Sequence, residues 1–191
     1  VEIDGIDVAK HPMQIKNIIG IQLQATSFYD KLNLREQLKM FASLYGATVD
    51  ADALLAKVQL TEKAKNYVEQ LSGGQKQRFA IASTLVNNPT VLFLDEPTTG
   101  LDPQARRNLW ELIESIRDEG ITIVLTTHYM DEAELLCDRL AIMDEGKIIT
   151  IDTPKNLVKQ LLDRGFKKKQ TVEQANLEDV FIDLTGKAIR E

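Results

Sequence analysis

Hydrophobic and polar positions along the chain change their period several times, and the changes predict its elements. Ile15–Gln24 is mostly apolar and reads as a strand, ending in a polar Gln24-Ala25-Thr26-Ser27 stretch. From Asn33 to Tyr45, Leu34, Leu38, Phe41 and Leu44 or Tyr45 recur at helical spacing, and Gly46 is placed to stop the helix. Asp50 is placed to cap a short helix through Val58, and a third helix is expected to begin near Thr61. A helix over Gly74–Asn87, ended by Pro89, precedes the unbroken apolar run Val91-Leu92-Phe93-Leu94, the signature of a strand covered on both faces. Pro103 opens a helix carrying Leu109, Leu112, Ile113 and Ile116 to Gly120. Ile121–Leu125 reads as another buried strand and Tyr129–Cys137 as a helix. Arg139–Asp144 and Lys147–Ile151 read as two strands joined near Gly146. Two short helical stretches follow Pro154, separated by Lys167-Lys168-Lys169, which reads as a solvated loop.

Strands that alternate with helices imply an α/β domain with a largely parallel sheet. Ligands of such sheets bind beyond the carboxyl ends of the strands. Residues 30–70 are predicted to be helical without strands.

Composition narrows the class. Of 191 residues, 43% are hydrophobic and 27% charged, a balance that supports a folded core. The net charge of −6 argues against a nucleic-acid partner, which requires a basic surface. The single cysteine, Cys137, has no intrachain partner, which fits a reducing compartment. No stretch approaches the roughly 18 apolar residues of a membrane-spanning helix. Val1–Lys10 interleaves apolar residues with Glu2, Asp4 and Asp7, unlike a signal peptide. The expectation is a soluble, cytosolic chain that meets a membrane only through a partner. Val1 is not a methionine, so a cut or processed chain is expected.

Two segments carry chemistry. The apolar run over 91–94 ends in Asp95-Glu96-Pro97. Adjacent carboxylates at a strand end suit a Mg²⁺ site beside a general base that polarises water toward a phosphate. Leu71-Ser72-Gly73-Gly74-Gln75 places two glycines and a serine at a helix start, where free N–H groups and the helix dipole attract phosphate. An ordinary turn capped by Ser72 is the bland alternative.

These segments, followed by Gly100-Leu101-Asp102-Pro103 and Thr126-Thr127-His128, stand in an order that resembles the nucleotide-binding subunit of ABC transporters over nearly the whole chain. The resemblance implies a P-loop NTPase core of the ABC type, in about 1–29 and 88–191, plus a small helical subdomain in about 30–87. It also implies the cofactors ATP and Mg²⁺. Ser72, Gly73, Gly74 and Gln75 match the signature that contacts the γ-phosphate of ATP held by the opposite subunit. Asp95 matches the Walker B aspartate, Glu96 the general base and Asp102 the loop bridging two subunits. His128 matches the switch histidine. Gln24 matches the glutamine that touches Mg²⁺ and relays motion to the membrane subunit, with Gln22, on the same strand face, as the competing position. The implied partners are a second ATPase subunit, arranged head to tail, and a separate transmembrane permease. The implied location is the cytoplasmic side of the membrane. Tyr129-Met130-Asp131-Glu132-Ala133-Glu134, Cys137-Asp138-Arg139 and Asp152-Thr153-Pro154 are similar to exporters of the drug and ABC-2 type. So is the ending Leu177-Glu178-Asp179-Val180-Phe181 with Leu184-Thr185-Gly186. Trp110, His11 and Cys137 receive no functional role.

One expected part is missing. The pairs Gly146-Lys147 and Gly186-Lys187 lack both the leading glycine and the following Ser or Thr of G-x-x-x-x-G-K-[ST], so neither is a P-loop. In the resembled family that loop lies several tens of residues before the glutamine strand, and only 23 residues precede Gln24. The leading strands, the P-loop helix and the adenine-stacking aromatic are therefore expected to be absent. The chain alone is expected to bind and hydrolyse ATP poorly, and an apolar sheet face is expected to be open and to favour self-association. Chromosome-maintenance relatives would place a long coiled coil between the motifs, and the interval from Gln24 to Leu71 has no sustained heptads. Translation-factor relatives would be basic and duplicated. A non-catalytic dimerisation or regulatory fragment is the alternative from a different class.

Overall fold

The computed structural model describes residues 1–24 and 26–166. The lysine run at 167–169 and the motifs at 177–186 lie outside the described residues. Two units are defined, Val1–Leu140 and Ala141–Glu191.

The first unit begins with a small hairpin, β1 (Glu2–Ile3) and β2 (Ile6–Asp7), around Asp4 and Gly5 at φ +51° and +72°. The Asp-Gly dipeptide is the sequence signal of such a turn, and the periodicity of ten residues did not reveal it. The expected strand over Ile15–Gln24 is helical in its first part, α1 (Pro12–Ile18), and only β3 (Ile19–Gln22) is extended. Pro12 at the first helical position fixes the φ that starts the helix, and only Ile15 of that helix is buried.

Helix α2 (Leu34–Leu44) is opened by a reciprocal capping box between Asn33 and Glu36. Its buried face holds Leu34, Gln37, Leu38 and Ala42, whereas Leu44 is 75% exposed and Tyr45 caps the end, so neither belongs to the core stripe. Asp50 caps α3 (Ala51–Lys57) by accepting from the backbone N–H of Asp52 and Ala53. The helix expected near Thr61 is a single 3₁₀ turn, Thr61–Lys63, followed by another at Val68–Gln70. Helix α4 (Gly73–Thr84) stops short of the expected Asn87.

Strand β4 (Val91–Asp95), helix α5 (Pro103–Asp118), strand β5 (Thr122–Thr126) and helix α6 (Met130–Leu136) complete the alternation. The strands form one parallel sheet in the order β3-β4-β5. Register pairs Gln22 with Leu94, and Asp95 with Thr126. All three strands therefore end at one edge.

The core of this unit runs from α2 and α3 through α4 to one face of the sheet and α5, with Leu38, Leu55, Phe79, Ile81, Leu92 and Ile116 nearly solvent-free. Gly20 makes the closest approach: a Cβ there would lie 2.4 Å from the carbonyl oxygen of Thr84. The other sheet face carries Ile21, Phe93 and Val124 side by side in register. Ile21 and Val124 are about half exposed, at 52% and 46%. The strand over 121–125 was expected to be buried on both faces, and its alternating exposure corrects that.

In the second unit β6 (Leu140–Asp144) and β7 (Lys147–Asp152) pair only with each other among the described residues, around Glu145 and Gly146, both at positive φ. Helix α7 (Pro154–Asp163) follows, capped by the Thr153 hydroxyl, which accepts from Asn156 N–H.

Candidate functional site

The register of the parallel sheet assembles an acidic site from three strand ends. β4 delivers Asp95 and Glu96, the segment after β3 delivers Gln24, and the segment after β5 delivers Thr127 and His128. Glu96 has φ +45°, a conformation unfavourable for a residue with a Cβ, so its backbone turns sharply as it leaves the strand. Thr126 holds both acids. Its hydroxyl donates to Asp95 Oδ1 at 2.6 Å, and its Oγ1 and carbonyl oxygen both accept from Glu96 N–H at 3.1 Å.

Three groups then surround the Glu96 carboxylate. Gln24 Nε2 donates to Oε2 at 3.0 Å, and the Thr99 hydroxyl donates to the same oxygen at 3.1 Å. His128 Nδ1 lies 3.3 Å from Oε1. The two glutamines are separated by this geometry. Gln22 is 2% exposed and turns inward, where its Nε2 donates to Gln77 Oε1 and to the Leu23 carbonyl, while Gln24 alone reaches the acid. Past Gln24, Phe28 packs on Phe79 of α4, with ring centroids 4.9 Å apart, and ties that segment to the helices.

Ser72, Gly73, Gly74, Gln75 and Asp102 form a second group. Ser72 caps α4, and its side chain and that of Gln75 exchange backbone hydrogen bonds, Gln75 N–H to Ser72 Oγ at 3.3 Å and Ser72 N–H to Gln75 Oε1 at 3.0 Å. Asp102 caps α5 by accepting from Ala105 N–H at 2.8 Å. The two helix starts nearly touch, because a Cβ on Gly74 would lie 3.0 Å from that of Ala105. A groove between them is lined by Ser72, Gly74, Gln75, Arg78, Asp102 and Asn108, and by none of the acidic group. Residues 97–101 connect the two groups, and Gly100 at φ +78° makes the turn that a side chain would oppose.

Hydrophobic periodicity did not single out Thr99, Thr126, Arg106, Tyr129, Trp110 or Glu132. Glu132 is fully buried and accepts from Trp110 Nε1–H at 2.9 Å. The spacing of Arg106 and Trp110, four apart on one helix, was the available signal.

A parallel sheet ends in two adjacent carboxylates, and beside it one helix opens on a glycine pair capped by Ser72 and another on Asp102-Pro103, which together define an α/β domain. Comparison with known proteins specifies it further: the family model described as "ABC transporter" matches residues 1–99, and the chain belongs to that family. Similar curated proteins include the linearmycin resistance ATP-binding protein LnrL of Bacillus subtilis, 37% identical over 84% of this chain and 53% of its own length. The Nod factor export ATP-binding protein I of Burkholderia pseudomallei is 42% identical over 81% of this chain and 52% of its own. The chain spans about half the length of these relatives. A solved structure described as an ATP-binding subunit of an ABC transporter superposes with a TM-score of 0.71 at 27% identity, covering 96% of this chain and 75% of its own. CbiO1 from Clostridium perfringens, part of the ABC transporter complex cbiONQ, gives 0.71 at 29%, covering 85% of this chain and 70% of its own. The α/β fold expected from the sequence is thus that of ABC ATP-binding subunits. Among the described residues no helix is long and apolar enough to cross a membrane.

Proposed function

We propose that the chain is part of an ATP-hydrolysing motor subunit that powers export through a separate membrane-spanning permease, from the cytoplasmic face of the membrane. The observation that carries this is the convergence of Gln24 and His128 on Glu96, next to Asp95, at the carboxyl edge of a parallel sheet. The names of the similar proteins, ATP-binding proteins for resistance or export, support the direction of transport.

The donor set fits Mg²⁺ that arrives with a nucleotide. Asp95 and the amide oxygen of Gln24 offer hard oxygen ligands, and Mg²⁺ commonly takes one or two protein groups and completes its shell with phosphate and water. No group of three or more His, Cys, Asp or Glu able to hold a metal occurs among the described residues, which fits a shared ion better than a dedicated cage. When bound, the ion neutralises charge on the phosphates. Glu96 acts as the general base that orients the hydrolytic water. Gln24 and Thr99 aim its carboxylate, and His128 senses the γ-phosphate beside it. Ser72, Gly73, Gly74 and Gln75 address ATP held by a second ATPase subunit in a head-to-tail dimer, with Asp102 at the bridge. Their separation from the acidic group, in a groove of their own, supports that division.

The sequence contains no G-x-x-x-x-G-K-[ST], so this chain alone is expected to show no detectable Mg-ATP binding in a calorimetric titration. Specific micromolar binding, about −8 kcal/mol, would refute that division of labour. Mg-dependent turnover by the chain alone that vanishes in Glu96→Gln would refute its inactivity. In an assembly that supplies the phosphate loop, hydrolysis unaffected by Glu96→Gln would refute the motor reading itself.

A further inference from the structure

We infer that Arg106 is a positioning residue for His128, acting through Tyr129, so that the start of α5 and the histidine turn move as one body; this rests on the role proposed for His128. Arg106 lies in the first turns of α5, and its N–H donates to the carbonyl of Asp102, the helix cap, at 3.0 Å. Its guanidinium carbon stands 5.0 Å from the Tyr129 ring centroid and 5.4 Å from that of Trp110. Both contacts are cation–π in geometry, and the planar guanidinium suits such stacking better than an ammonium does. Tyr129 in turn lies against His128, with ring centroids 4.2 Å apart at 37°. The far side is fixed as well. Trp110 donates its indole N–H to the buried Glu132, and Arg106 also approaches Asp131 at 3.9 Å.

Each link leaves the next little freedom. Glu132 orients the indole, and the indole and tyrosine flank the guanidinium. The tyrosine then backs the imidazole, whose Nδ1 faces Glu96. Asp102 sits four residues before Arg106. A displacement of the α5 start at Asp102 would therefore reach the histidine through side-chain packing, a path distinct from the backbone turn over 97–101.

The test uses the full chain and needs no nucleotide. Its two histidines, His11 and His128, give separate imidazole signals by NMR. His11 occupies the N-cap position of the first helix, without a side-chain capping bond, and serves as the internal reference. Arg106→Met, which keeps the side-chain bulk and removes the cation, is expected to shift the His128 ring signals toward those of the unfolded chain and leave His11 unmoved. Arg106→Lys, which keeps the charge without the planar guanidinium, is expected to shift the His128 signals by less than Arg106→Met does. In a Tyr129→Leu background, Arg106→Met is expected to add no further shift, because the tyrosine transmits the effect. A folded Arg106→Met chain with unchanged His128 signals would overturn the inference, even if it were less stable. So would additive shifts in the double variant. Because the signals are read without ATP, failure of the motor reading would leave these results standing, and the two failures are distinguishable.

Discussion

Gly20→Ala tests whether the site depends on how closely β3 packs on α4. The new methyl would sit 2.4 Å from the Thr84 carbonyl oxygen, 3.1 Å from its Cβ and 3.0 Å from Leu92 Cδ1. The nearest atom is backbone, so a side-chain rotation does not relieve the clash. Either the end of α4 or the strand must move. Overpacking of this kind costs about 1–3 kcal/mol, and a backbone obstacle places it at the upper end. Replacing glycine also reduces the freedom of the unfolded chain, which returns about 0.4–1 kcal/mol. The net expectation is a loss of about 2 kcal/mol. With a urea m-value of about 2 kcal/mol/M, the unfolding midpoint falls by about 1 M. Circular dichroism and Trp110 fluorescence are the probes. Gly73→Ala is the control, because its methyl would meet nothing nearer than Leu101 Cδ2 at 3.8 Å and its midpoint should not fall. Equal midpoints for Gly20→Ala and the parent would refute the reasoning, since the sheet would then tolerate a gap the structure does not contain.

Two further outcomes follow from single residues. Glu96→Gly and Glu96→Ala lose the same bonds from Gln24 and Thr99, but only glycine accepts φ +45° without penalty, so Glu96→Gly should be more stable by about 1 kcal/mol in urea unfolding; the reverse order would exclude stored strain there. The Cys137 thiol is held above its ordinary range, first by burial and then by the charges of Glu132 and Asp138. The folded chain thus keeps a proton that the unfolded chain releases. Stability is unaffected by this group below the ordinary thiol range and declines as pH rises past it. Iodoacetamide should accordingly alkylate Cys137 more slowly in the folded chain than in urea at the same alkaline pH, and equal rates would count against the effect.

Legibility in the sequence followed the locality of the physics. Asn33, Asp50, Ser72 and Asp102 act within one helical turn, and residue type with spacing was enough to place Asp50 and Pro103 at helix starts. The apolar run over 91–94 was readable as a strand, but only Leu92 and Leu94 are buried, while Val91 and Phe93 lie on the partly open face, so it is not covered on both sides. The boundary at Ile18–Ile19 was not, since consecutive isoleucines satisfy either period and the decision falls to the packing of Gly20 on Thr84. The separate pairing of β6 with β7 is likewise a matter of which partner each strand finds, and strand propensity carries no such information. At the site, motif order pointed to Glu96 and His128, whereas the threonine that holds the acids and the arginine behind Tyr129 depend on tertiary contacts between segments twenty or more residues apart.

The register explains why so few residues can form this site. Asp95 is paired with Thr126, so a threonine at the end of β5 stands next to the acid: its hydroxyl donates to Asp95, and its hydroxyl and carbonyl oxygens both accept from Glu96 N–H. A slip of one residue in β5 would turn Thr126 to the opposite face and bring Leu125 or Thr127 against the acids. Glu96 is then the first residue beyond the ladder, and its left-handed φ swings its carboxylate toward Gln24 rather than along the strand direction. Strain at that residue and hydrogen bonds around it therefore belong together: the bonds from Gln24, Thr99 and Thr126 hold a backbone conformation that would otherwise relax, and the held conformation is what presents both carboxylate oxygens to the same edge.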